Sequence, residues 1–106
     1  MKSGRNYVIN MSYEIQYLPL AEQDLEDIAF YLSQFYPSTL KKFMNMLEKH
    51  ISNLQDMPHM GTQYGDYHKL VALDYLVFYK ILEEQNLIKI YRVLHGARGG
   101  EIKKMG

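Results

Sequence analysis

Apolar residues alternate at the two ends of the chain and fall on helical spacing between them. Tyr7, Ile9, Met11, Tyr13, Ile15 and Tyr17 share one parity, a period of two that predicts a strand whose firmest part is residues 13–18. Pro19 suits the first turn of a helix, where its missing N–H would be unpaired in any case. Ala21, Leu25, Ile28, Ala29, Leu32 and Phe35 then recur every three or four residues. Glu22, Asp24, Glu26 and Asp27 crowd the first turns, where the helix dipole favours acids, so a helix is predicted over residues 20–34. Tyr36-Pro37-Ser38 breaks it, with Ser38 able to cap the next helix. Leu40, Phe43, Met44, Leu47, Ile51 and Leu54 form a second stripe that Pro58 ends near Met57. So short a connection forces the two helices into an antiparallel hairpin, each with an apolar face to bury.

The pattern returns to strands after residues 57–67, a predicted loop carrying Pro58, Gly61 and Gly65. Residues 68–73 read as a short strand and Asp74 as a tight turn. Two β-branched and aromatic runs, 75–82 and 87–94, flank the polar turn Glu83-Glu84-Gln85-Asn86 as a β-hairpin. On the last run Ile88, Ile90 and Leu94 point one way and Leu87, Tyr91 and Val93 the other. With both faces apolar, it is predicted to be a central strand. The expected fold class is α+β with order β-α-α-β-β-β, a helical hairpin packed on one face of a mostly antiparallel four-stranded sheet, the other face left for a partner. One domain is expected over residues 13–98, with an N-terminal extension or tail at 1–12 and a C-terminal tail at 99–106.

Composition narrows the function classes. With no cysteine among the 106 residues there is no disulfide framework, thiol catalysis or cysteine-ligated zinc. No run approaches the roughly 18 apolar residues that span a bilayer, and no secretory leader is visible, so a cytoplasmic protein without a membrane partner is expected. Net charge is zero but unevenly placed. Residues 11–40 carry five acids and no Lys or Arg, whereas 87–106 carry five basic residues and the single acid Glu101. A balanced total argues against a nonspecific nucleic-acid binder while leaving room for a local basic patch. Seven Met and ten Tyr suit an adhesive surface, although many must be core.

Ala21 and Asp24-Leu25 opening the first helix, Met57-Pro58 and Gly61 after the second, Tyr75 with Phe78-Tyr79 in the third strand, and RVLHGAR over residues 92–98 stand in a distinctive order and spacing. By these marks the chain resembles the ParE branch of the RelE/ParE superfamily, the toxins of bacterial type II toxin–antitoxin pairs, across nearly the whole domain. The resemblance implies a growth-inhibiting protein of the plasmid-stabilisation type, neutralised by a cognate antitoxin that wraps the helical hairpin and sheet, with oligomers formed through that complex. It implies DNA gyrase as target without covalent chemistry. RelE-like relatives instead cut mRNA on the ribosome, and a degenerate, non-toxic copy is the third reading. Where the pattern has an Asp after the arginine, this chain has Gly99-Gly100, leaving Arg98 without that neighbour.

The residues themselves allow two chemistries. His95-Gly96-Ala97-Arg98, where the last strand breaks into a loop, is where a rigid scaffold would present groups to a partner, so Arg92, His95 and Arg98 are the candidate target-binding set. Metal-independent RNA cleavage would need a base, an acid and cations for the phosphorane, which His95, Arg98, Tyr91, Lys69 and Lys80 could supply. The resemblance weighs against cleavage, since RelE-like members tend to carry several Arg or Lys on the middle strands where residues 69–82 here offer only Lys69 and Lys80 and no Arg, so binding is the stronger reading. For each residue the plain alternative is a solvated strand-end lysine, a half-core tyrosine or a loop-holding histidine. His50, His59, His68 and His95 lack the paired spacing of zinc ligands, and no metal or cofactor is expected. The acidic run 22–27 reads most simply as a solvated helix face.

Overall fold

The computed structural model describes residues 12–96. The expected strand residues Tyr7, Ile9 and Met11, the N-terminal tail up to residue 11, the C-terminal tail and Arg98 lie outside them. The elements are β1 (Glu14–Tyr17), α1 (Pro19–Phe35), α2 (Leu40–Ser52), β2 (Thr62–Tyr64), β3 (Tyr67–Ala72), β4 (Tyr75–Leu82) and β5 (Leu87–His95). They form one five-stranded sheet in the order β1-β5-β4-β3-β2, in which only β1 and β5 run parallel. Both helices cover the same face, α1 along β5 and α2 over β3. Ala21, Ile28 and Leu32 of α1 and Leu47 and Ile51 of α2 meet Leu70, Val77, Tyr79, Ile88, Ile90 and Val93 of the sheet in one core. The α+β hairpin-on-sheet architecture is as expected, and β5 is indeed an interior strand.

The differences are local. The predicted loop 57–67 contains a fifth strand: Thr62, Gln63 and Tyr64 pair with Lys69, His68 and Tyr67 across the two-residue turn Gly65-Asp66. Gly65 sits at φ 61°, a left-handed conformation that glycine adopts without Cβ strain. Helix α2 ends at Ser52, earlier than Met57, because the chain tightens into a 3-10 turn at Asn53–Gln55. Ser38 does not cap it. Pro37–Thr39 forms its own 3-10 turn, and the Thr39 hydroxyl donates back to the Tyr36 carbonyl at 3.1 Å.

The predicted facing of β5 holds only for its first half. Ile88 and Ile90 face the core, but the β4–β5 register slips between Phe78 and Tyr79, which pair with Arg92 and Ile90. Tyr91 is therefore an extra residue in a β-bulge, and parity inverts beyond it. Val93, not Leu94, joins Ile88 and Ile90 in the core.

Candidate functional site

Two polar fasteners position the groups at the end of the sheet. The first joins α1 to β5. Strand β1 pairs with β5 only as far as Ile90, because the chain turns from β1 into α1 after Leu18. Past that point the outer edge of β5 needs another acceptor, and the Asp24 carboxylate supplies it. Val93 N–H donates to Asp24 Oδ2 at 2.9 Å, while Arg92 donates through Nε to Oδ2 at 2.7 Å and through Nη2 to Oδ1 at 2.8 Å. Asp24 is 8% exposed, so this fork is largely out of water. The hydrogen bond to Asp24 is the main cause that pushes the Arg92 guanidinium pKa up, against the opposing effect of burial.

The second fastener pins the segment after α2 to the sheet. Tyr79 Oη donates to the Pro58 carbonyl at 2.8 Å and accepts Gly61 N–H at 3.1 Å. A Cβ on Gly61 would lie 2.6 Å from that hydroxyl and 2.7 Å from the Lys69 carbonyl oxygen, so no side chain fits there. Burial pushes the Tyr79 pKa up, and the Gly61 N–H partly offsets it. Beside it His68 stacks on the Tyr79 ring (5.4 Å, 26°) and meets the His59 ring at 5.7 Å, while His59 Nε2 lies 3.1 Å from Glu83 Oε2. Burial, then the nearby His59, hold His68 below its ordinary pKa.

The candidate residues separate between these features. Arg92 is the guanidinium of the first fastener. His95 pairs in register with Tyr75, and their rings meet edge to face at 5.1 Å. Tyr75 in turn touches Phe43 of α2, which puts His95 on the helix side of the sheet. Lys69, Lys80 and Tyr91 lie on the opposite side, where Lys80 Nζ stands 4.9 Å from the Tyr67 ring centre and 5.4 Å from that of Tyr91. The imidazole and the lysines are thus held apart by the thickness of the sheet. Gly96 N–H closes the strand end by donating to the Asp74 carbonyl at 2.8 Å.

Asp24 is the residue that the expected solvated acidic face concealed. It lies on the buried stripe with Ala21 and Ile28, and a carboxylate on an apolar stripe requires a cation or N–H partner, which was the available signal.

Two solved structures share this arrangement of a helical hairpin on one face of a sheet. The chromosomal ParDE toxin–antitoxin system from P. aeruginosa superposes with a TM-score of 0.69 at 14% identity, over 80% of this chain and 97% of that one. The RelBE2 toxin–antitoxin complex from Mycobacterium tuberculosis gives 0.55 at 19% identity, over 79% and 98%. At such identities the likeness is one of fold. The family model of the ParE toxin of the type II toxin–antitoxin system, parDE, matches residues 15–99, and the chain belongs to that family. No curated protein sequence matches it.

Proposed function

We propose that this ParE-family toxin inhibits growth by binding DNA gyrase rather than by cutting RNA, and that a cognate antitoxin neutralises it in the cytoplasm. The observation that carries the choice is the separation of His95 from Lys69, Lys80 and Tyr91 by the sheet. A general acid or base must come within hydrogen-bond reach of the atoms whose charge the cations stabilise. Here the imidazole and the lysines open onto different surfaces. His95 then serves as a target contact at the end of a strand whose position Asp24 and Arg92 fix, and Arg98, three positions later in the sequence, as a second.

Support for the antitoxin comes from the hairpin. Phe30, Tyr31, Phe35 and Tyr36 are each more than half exposed around the tip of α1, with Tyr31 packed on Phe35 at 4.8 Å. Lys41, Lys42 and Lys49 surround Met46 on the exposed side of α2. Aromatic anchors beside a basic rim suit an amphipathic acidic segment. Among the described residues no helix is long and apolar enough to cross a membrane.

Induction in cells tests the target. Filamentation, a DNA-damage response and gyrase-linked DNA breaks with intact mRNA are expected. Codon-positioned mRNA cuts on translating ribosomes, with supercoiling unchanged, would transfer the protein to the endoribonuclease reading.

A further inference from the structure

Opposite charges stand on the outer sides of the two helices and meet no opposite charge within the chain. Helix α1 exposes Glu22, Glu26 and Asp27 and has no Lys or Arg, whereas α2 exposes Lys41, Lys42 and Lys49 against the single acid Glu48. Among the described residues the ion pairs are His59 with Glu83 and Arg92 with Asp24, so the three acids and three lysines are unpaired. Asp27 only accepts a hydrogen bond from Gln23, at 3.0 Å.

The hairpin keeps these charges at opposite ends. The acids lie in the first half of α1, while Lys41 and Lys42 open α2 directly after the connection and so stand beside the end of α1. Between the two charged ends lies a patch of rings. Phe30 is 68% and Phe35 64% exposed, and Tyr31 packs on Phe35 at 4.8 Å and near Tyr36 at 6.4 Å. Rings already ordered against one another lose little side-chain freedom when they dock.

Such a surface complements itself. If two α1 helices lie antiparallel about a two-fold axis at Tyr31, Asp27 stands about 6 Å from the axis, level with Phe35 of the other copy. Lys41 and Lys42 of that copy flank this level. An isologous contact is made twice, so both acidic ends meet lysines and the rings of both copies fill the centre.

We infer that a second copy of this chain occupies the hairpin when the antitoxin is absent, with Glu26 and Asp27 of each copy facing Lys41 and Lys42 of the other across the paired Phe30, Tyr31 and Phe35 rings. The inference rests on the reading of the hairpin as a docking surface and gives that surface a competitor. Helix α1 is itself an acidic segment with aromatic anchors, the chemistry proposed for the antitoxin. Dimer and antitoxin complex are then mutually exclusive.

Sedimentation equilibrium of the purified full chain tests it, with a monomer–dimer transition expected between about 1 and 100 μM. Glu26→Lys with Asp27→Lys creates two repulsive contacts in a homodimer, and so does Lys41→Glu with Lys42→Glu. Each variant alone should dimerise at least about tenfold more weakly. Their equimolar mixture should recover the parent affinity within about threefold, because every reversed contact then meets its complement. The glutamates at the start of α2 suit the helix dipole, so folding should be kept, as thermal melts will show. Phe30→Ser with Phe35→Ser should remove the dimer altogether.

A parent that stays monomeric throughout overturns the inference, as does a dimer that neither swap weakens or that the mixture fails to restore. A monomeric parent whose hairpin is covered only by the cognate antitoxin overturns it while the antitoxin reading stands. A dimer that obeys the swaps, with antitoxin affinity untouched by them, supports it and moves the antitoxin elsewhere.

Discussion

Replacing Asp24 by alanine removes the acceptor for three N–H groups at once. Two belong to Arg92 and one to the Val93 backbone. Breaking a buried ion pair from one side costs about 3–5 kcal/mol, because the remaining charge is left out of water. The Arg92 side chain retains 29% exposure, so part of its guanidinium rehydrates and solvent already screens the pair. About 2–3 kcal/mol is therefore the appropriate share. The unpaired Val93 N–H adds about 1 kcal/mol. The sum is a large fraction of a typical domain stability of about 5–15 kcal/mol. In a domain of this length it should lower the melting temperature by roughly 15–25 °C. Asp24→Asn keeps an acceptor of the same shape and should lose about half as much. Thermal melts of Asp24→Ala, Arg92→Met and the double variant form a cycle whose coupling should reach at least about 1.5 kcal/mol. A melting temperature for Asp24→Ala within about 3 °C of the parent, or strictly additive single effects, would refute the reasoning.

Gly61→Ala should lower stability by about 1–3 kcal/mol in denaturant unfolding, since its Cβ meets both the Tyr79 hydroxyl and the Lys69 carbonyl; Tyr79→Phe in that background should restore only part, because the carbonyl remains. His68, held below its ordinary 6.5, takes up its proton more readily in the unfolded chain, so stability present above that pH should be lost as pH falls from it through the folded value. His59 and Glu83 face it across the same cluster, and His68→Gln should flatten this acid slope in melts followed by circular dichroism. Arg98→Ala is expected to abolish growth inhibition at equal expression while melting temperature and antitoxin binding hold, with His95→Ala weaker in effect. Unfolding by either substitution, or full toxicity of Arg98→Ala, would make that residue structural or incidental.

Long periodic segments were readable because burial imposes their period. The stripes of α1 and α2 and the apolar run of β4 predicted the architecture, with the bounds of α1 and β4 met to within a residue and the end of α2 missed by five. β2 was not readable as a strand, because three residues with two exposed positions carry no usable alternation, although Gly65-Asp66 at two-residue spacing was a hairpin signal. The facing of Val93 and Leu94 was lost to the bulge, which sequence parity cannot anticipate. The residues that carried the family resemblance include Asp24, Pro58, Gly61, Tyr79 and Arg92, which here build the two fasteners. They identify a scaffold, and a scaffold can serve more than one target. His95, a proposed target contact, was legible only by its place where the last strand breaks into a loop.

The bulge at Tyr91 also bears on how this strand could have come to its present length. Side chains alternate, so losing almost any residue within β5 would turn the rest of its inward set outward. The exception is the bulge opposite Phe78, formed by Arg92, which bonds Asp24, and by Tyr91. Without Tyr91, Ile88, Ile90 and Val93 would fall at even intervals and the ladder to β4 would be regular. Side-chain alternation therefore does not require a residue at this position. What would vanish is the ring that meets Tyr67 beneath Lys80, so the extra position is better understood as belonging to the outer surface than to the protein's interior.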